Sequence, residues 1–125
     1  MMPRRLLLIS LIFAGLAIFR IPATYAGADA KAADSHAIEQ GRHLFNANCA
    51  HCHGEDAGAE DPYYNLPQLL SDKSDKDFTT AVTNGIPDKG MPPWKTILKP
   101  GQIGDLLVYL RSVEKEQGID TGSQP

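Results

Sequence analysis

The sequence predicts a single all-α domain, and three observations carry that prediction. Apolar residues recur at helical spacing in three stretches, around residues 38–45, 78–82 and 103–113. The connection between the first two lacks strand alternation, and neither a βαβ order nor an internal repeat is present. With 125 residues and 7% aromatics, the chain holds one small domain whose core needs a staple such as a metal, a cofactor or a disulfide. Its 2 cysteines allow at most one disulfide.

The elements follow in chain order. Arg4 and Arg5 precede an apolar run of 14 residues, Leu6 to Phe19, and Pro22-Ala23-Thr24-Tyr25-Ala26 is a small-residue exit. A membrane span needs about 20 apolar residues, and Arg20 interrupts the run first, so residues 1–26 are expected to be a cleaved secretion signal. Ala26 is the preferred last signal residue, with Ala28 and Ala30 as alternatives. Residues 27–34 are small and polar without period, which predicts a flexible lead-in. Asp34 or Ser35 then caps a first helix carrying Ile38, Gly41, Leu44 and Phe45 on one side. A glycine inside that face is costly for a helix, and close approach by another element is its reason.

Residues 54–72, with Gly54, Gly58, Pro62 and Pro67, are expected to form an extended loop. Ser74 and Asp77 match a capping box, so a second helix starts there, runs through Phe78, Ala81 and Val82, and stops at Asn84-Gly85. Residues 85–100 return to loop. The last helix opens with Pro100, carries a stripe of Ile103, Leu106, Leu107, Leu110 and Val113, and ends at Gly118. The domain thus spans 35–118, and 119–125 are a flexible tail.

Charge narrows the partners. Residues 1–26 hold three arginines and no acid, so removing them leaves nine basic residues against fifteen acidic ones. A chain this acidic excludes nucleic acid as a partner, because phosphate binding requires a net basic face. It also argues against adhesion to anionic lipid.

The chemistry concentrates in Cys49-Ala50-His51-Cys52-His53. C-x-x-C-H is the attachment pattern of c-type haem. On a helix, Cys49, Cys52 and His53 stand at i, i+3 and i+4 and face one side. Two sulfurs then bond the porphyrin edge while the imidazole reaches the iron. A zinc site needs four ligands and finds no second cysteine pair, though His36, His43 and His51 are available for recruitment. Thiol redox chemistry normally accompanies a βαβ unit, and a plain disulfide is the remaining alternative.

An iron held by His53 has a second axial position to fill. Met91 is the only methionine beyond the signal segment, and its setting, Gly90-Met91-Pro92-Pro93, prevents it from joining a regular apolar face. It is the expected second ligand, with His36, His43 and His51 as competitors.

These residues, together with Gly54 and the terminal Leu106-Leu107-Val108-Tyr109-Leu110, resemble class I cytochromes c, particularly small soluble bacterial ones, over roughly residues 35–117. The resemblance implies a cytochrome c-like fold of three to five helices wrapped around one covalently bound haem c. It implies first and last helices that cross, with Gly41 and Phe45 meeting Leu106 and Tyr109. It also implies a loop proline whose carbonyl supports the proximal histidine, for which Pro62 and Pro67 are candidates. Trp94 is expected at the haem edge or in the core.

His/Met ligation fills both axial positions and favours ferrous iron, which predicts a one-electron carrier and not an enzyme. The expectation is a periplasmic carrier shuttling between a dehydrogenase or quinol-oxidising complex and a terminal oxidase, without stable membrane insertion once the signal is removed. Two alternatives stand beside it: an open-site haem enzyme or gas sensor in which Met91 is unbound, and a haem subunit tethered to a larger dehydrogenase or oxidase. Lys89, Lys95 and Lys99 are candidates for a basic docking rim, and Glu55, Asp56, Glu60 and Asp61 for an acidic one; solvated side chains are the plain alternative for both.

Overall fold

The computed structural model describes residues 24–119. The predicted signal lies outside these residues except for its last three positions, and the predicted tail lies outside them except for Ile119. Five α-helices form the domain: α1 (Thr24–Asn48), α2 (Ala50–His53), α3 (Leu66–Leu70), α4 (Asp75–Asn84) and α5 (Pro100–Glu116). Among the described residues there is no strand, only an isolated antiparallel bridge between Ile86 and Met91. The all-α expectation is met.

α1 starts well before the predicted cap. Residues 27–34, expected to be a flexible lead-in, are helical, and Ser35 is an interior residue whose Oγ donates to the Lys31 carbonyl at 2.9 Å. The reason is local propensity, because five alanines between positions 26 and 33 favour helix without any tertiary contact. Side chains 30–36 of this extension are exposed.

α1 and α5 pack against each other and build the core. Phe45, Leu106 and Leu110 are each 1% exposed or less, and each contributes about 2 kcal/mol through burial. The Phe45 and Tyr109 rings sit 5.7 Å apart, tilted at 54°. A Cβ on Gly41 would overlap the Asp105 carbonyl and stand 2.6 Å from the Tyr109 Cβ, so only glycine lets the two backbones come this close. The expected meeting of Gly41 and Phe45 with the last helix is therefore present.

α4 forms as predicted. Ser74 accepts from the Asp77 amide, the Asp77 carboxylate accepts from the Ser74 amide, and Phe78 and Val82 are buried. α5 runs from Pro100 and ends with Gly118 at φ +68°. Arg111 ties α5 to the segment before α4. Its guanidinium donates to both Glu114 oxygens, to Asp75 at 2.9 Å, and to the carbonyls of Leu70 and Lys73. Glu114 is 0% exposed and tolerates burial because this bidentate pair satisfies it. Burial alone would lower the Arg111 pKa, but the bonds to Glu114 and Asp75 hold it above its ordinary value.

The two expected loops are more structured than their glycines and prolines suggest. Residues 54–72 contain a 3-10 turn, Glu55–Ala57, and the helix α3. α3 forms because Asn65 caps it, accepting from the Gln68 amide at 3.1 Å, and Pro67 sits in the first turn where its missing N–H costs nothing. Residues 85–100 contain a 3-10 turn, Pro87–Lys89.

Candidate functional site

α1 breaks at Cys49 and resumes at once. The His53 amide donates to the Cys49 carbonyl at 3.0 Å and the Cys52 amide to the same oxygen at 3.1 Å, so the segment keeps near-helical geometry. That geometry carries Cys49, Cys52 and His53 to one cavity of about 510 Å³. No disulfide joins the two cysteines.

The loop that leaves His53 is held in an unusual shape. Asp56 and Ala57 both take positive φ, 51° and 59°. Two reciprocal bonds clamp this turn to α1: the Asn46 amide donates to the Asp56 carboxylate at 2.8 Å, and the Asp56 backbone N–H donates to the Asn46 side-chain oxygen at 2.9 Å. Asparagine suits this place because it alone offers a donor and an acceptor on one short planar group. The chain then turns at Asp61, whose carbonyl accepts from the Tyr64 amide.

His53 Nδ1 lies 2.8 Å from the Tyr64 carbonyl. A carbonyl only accepts, so Nδ1 carries the proton and Nε2 keeps its lone pair for a metal. Neither candidate proline fills this role. Pro67 is buried in the first turn of α3, and Pro62 is exposed two residues too early. Every residue has a carbonyl, and the turn at Asp61 with the cap at Asn65 decides which one arrives. The Tyr64 ring also packs edge-on against the His53 ring, 6.2 Å between centroids.

Met91 reaches the same cavity from the far end of the chain. The Ile86 amide donates to the Met91 carbonyl at 2.9 Å, and the Met91 amide to the Ile86 carbonyl at 3.2 Å, which closes residues 86–91 into a small loop. Gly85 makes this possible, since it adopts φ +71° and a Cβ there would stand 2.6 Å from the Met91 carbonyl. Trp94 lines the cavity as well, its amide bonded to the Val82 carbonyl.

The rest of the wall is largely apolar, with Phe45, Phe78, Val82, Leu106 and Leu110 at its base. A large flat apolar group with two reactive edge positions and an axial metal suits this enclosure: two thiols on one edge, an imidazole nitrogen with a free lone pair, and a thioether. Zinc does not suit it, because among the described residues no three His, Cys, Asp or Glu side chains converge. His43 pairs instead with Glu39 at 2.9 Å on the outer face of α1, and His36 and His51 are exposed. Of the predicted basic rim, only Lys89 lines the cavity; Lys95 and Lys99 are exposed outside it, and Lys73 joins unannounced. No sequence pattern marks Lys73, because α3 and Arg111 bring it there.

Residues 36–110 match the family described as cytochrome c oxidase, cbb3-type, subunit III. A cytochrome c6 from Nostoc sp. (strain PCC 7120) is 35% identical over 106 residues, covering 81% of this chain and 87% of that protein. The chain belongs to the class I c-type cytochromes. No solved structure matches it significantly. As a c-type cytochrome it carries covalent haem c, with Cys49 and Cys52 spaced for the attachment, and it is an electron carrier. No helix among the described residues is long and apolar enough to cross a membrane.

Proposed function

We propose that this cytochrome is a periplasmic one-electron carrier whose haem iron is ligated by His53 and Met91 and whose porphyrin is bonded to Cys49 and Cys52. In this reading it passes electrons from a dehydrogenase or quinol-oxidising complex to a terminal oxidase, and residues 1–26 direct its export before they are removed. The observation that carries the proposal is the convergence of these four side chains, from two separate segments, on one largely apolar cavity.

Bound haem supplies a one-electron ferric/ferrous couple. His53 offers Nε2 to the iron while the Tyr64 carbonyl fixes the ring and its tautomer. Met91 supplies a soft thioether, which favours the ferrous state and raises the reduction potential. Phe45, Phe78, Val82 and Leu106 keep water from the iron, and this penalises the extra positive charge of the oxidised state. His53 and Met91 would hold the iron entirely with the chain's own side chains, and bound haem would then supply electron transfer and not catalysis.

The test is the Met91→Ala variant. It is expected to retain haem through denaturing extraction, to show a lowered potential, and to bind carbon monoxide readily when reduced. A spectrum identical to the parent would reject Met91 as ligand. Fast stoichiometric carbon monoxide binding by the parent itself would instead support the open-site reading.

A second reading draws on the description of the matching family, an oxidase subunit. In it, the chain keeps residues 1–26 and stays attached to a larger complex. The mass of the exported protein separates the two: a mass including residues 1–26 excludes the soluble carrier.

A further inference from the structure

Four side chains of the cavity lining form a continuous series. The His53 ring meets the Tyr64 ring, the Tyr64 ring meets the Tyr63 ring edge-on at 4.9 Å and 86°, and the Lys89 ammonium stands over the Tyr63 ring, 6.0 Å from its centroid. Tyr63 belongs to the loop that supports His53. Lys89 belongs to the closed loop 86–91 that carries Met91. All four residues line the cavity. Tyr63 is 52% exposed, so its ring is open to the Lys89 ammonium from the solvent side.

We propose that Tyr63 and Lys89 form a clasp that holds the Met91 loop closed over the haem, making both of them positioning residues for the axial thioether. The proposal rests on the reading of Met91 as ligand. Its physical content is a cation–π contact between two separate segments of the cavity lining. Lys89 acts on Met91 because the two residues share one rigid loop. The reciprocal Ile86 and Met91 backbone bonds close it, and the 3-10 turn Pro87–Lys89 fixes the Lys89 backbone two residues from Met91. Tyr63 is a firm anchor for its part, because its amide is bonded to the Asp61 carboxylate at 2.9 Å and its ring is braced by Tyr64.

The rate at which Met91 leaves the iron measures the clasp. In the ferric haem-loaded protein, imidazole binds only after the thioether departs, so at saturating imidazole the binding rate equals the opening rate of the loop. Tyr63→Ala and Lys89→Gln are each expected to raise that rate about two- to fivefold, the range of an exposed cation–π contact. The double variant is expected to be no faster than the faster single one, since both remove the same contact. Tyr63→Phe keeps the ring and is expected to keep the parent rate, which separates the π-face from the hydroxyl. Unchanged rates in both single variants, or effects that multiply in the double variant, overturn the clasp. Lys89 is exposed, so Lys89→Gln decides the question even where Tyr63→Ala yields no haem-loaded protein. Met91→Ala serves as the reference. If it leaves the ferric spectrum and the imidazole rate unchanged, the ligand assignment has failed; if it binds imidazole at once while Tyr63→Ala and Lys89→Gln stay as slow as the parent, only the clasp has failed.

Discussion

The α1/α5 crossing and the two loops around the cavity are held by different forces. The crossing is a close helix contact, with Gly41 against the Asp105 backbone and the Phe45 ring packed at a tilt against Tyr109. The loops are held at isolated points: Asn46 on Asp56, Asp61 on Tyr63 and Tyr64, and Ile86 on Met91. Between them lies a cavity of about 510 Å³ whose walls are apolar. The crossing rests on direct contact between two helices and lends Phe45, Leu106 and Leu110 to the cavity wall, whereas the loops meet only around the haem site. A carrier that must hold its cofactor in one geometry through both redox states places rigidity in the first region and chemistry in the second.

The harshest way to break this contrast is to remove the haem. Cys49→Ala with Cys52→Ala is expected to abolish nearly all folded protein, read by far-UV circular dichroism of the soluble fraction, because the cavity collapses without its tenant. Native helix content in that variant would show that the crossing suffices by itself. Gly41→Ala strikes the other region. Its new methyl has no room against Tyr109 and Asp105, so a loss of about 3 kcal/mol is expected from urea denaturation, with the visible spectrum unaltered. Glu114→Ala removes the buried partner of Arg111 and is expected to cost about 2 kcal/mol, less than a fully orphaned charge because Asp75 and two carbonyls still hold the guanidinium.

Smaller effects sharpen the picture. Asn46→Ala is expected to cost about 1 kcal/mol and to speed hydrogen exchange at residues 54–58 without touching α5. The Tyr109 phenol is pushed up to about 12 by burial and then by the negative Asp56. The unfolded chain releases this proton near the ordinary value and the folded chain holds it longer, so stability falls as pH rises from about 10 to about 12. Tyr109→Phe is expected to flatten that alkaline slope in a series of urea titrations.

Much of the fold is legible in the chain because its signals are local. The capping box at Ser74 and Asp77, the stripe from Ile103 to Val113, and the spacing of Cys49, Cys52 and His53 each depend on neighbours within a few turns of helix. The early start of α1 and the helix α3 were less visible. Both rest on propensity and capping that compete with loop-forming residues nearby, Gly27 in one case and Pro62 in the other.

By itself, then, the sequence determined the helical framework and the attachment segment, since these follow from residue type at fixed short spacing. Only the tertiary structure decided that the Tyr64 carbonyl and not a proline supports His53, that Arg111 gathers groups 36 to 41 residues away, and that Tyr63 meets Lys89. Backbone carbonyls are chemically alike and long-range neighbours leave no periodic trace. Which of them meet is settled when the chain closes on itself, by packing that no short window of sequence contains.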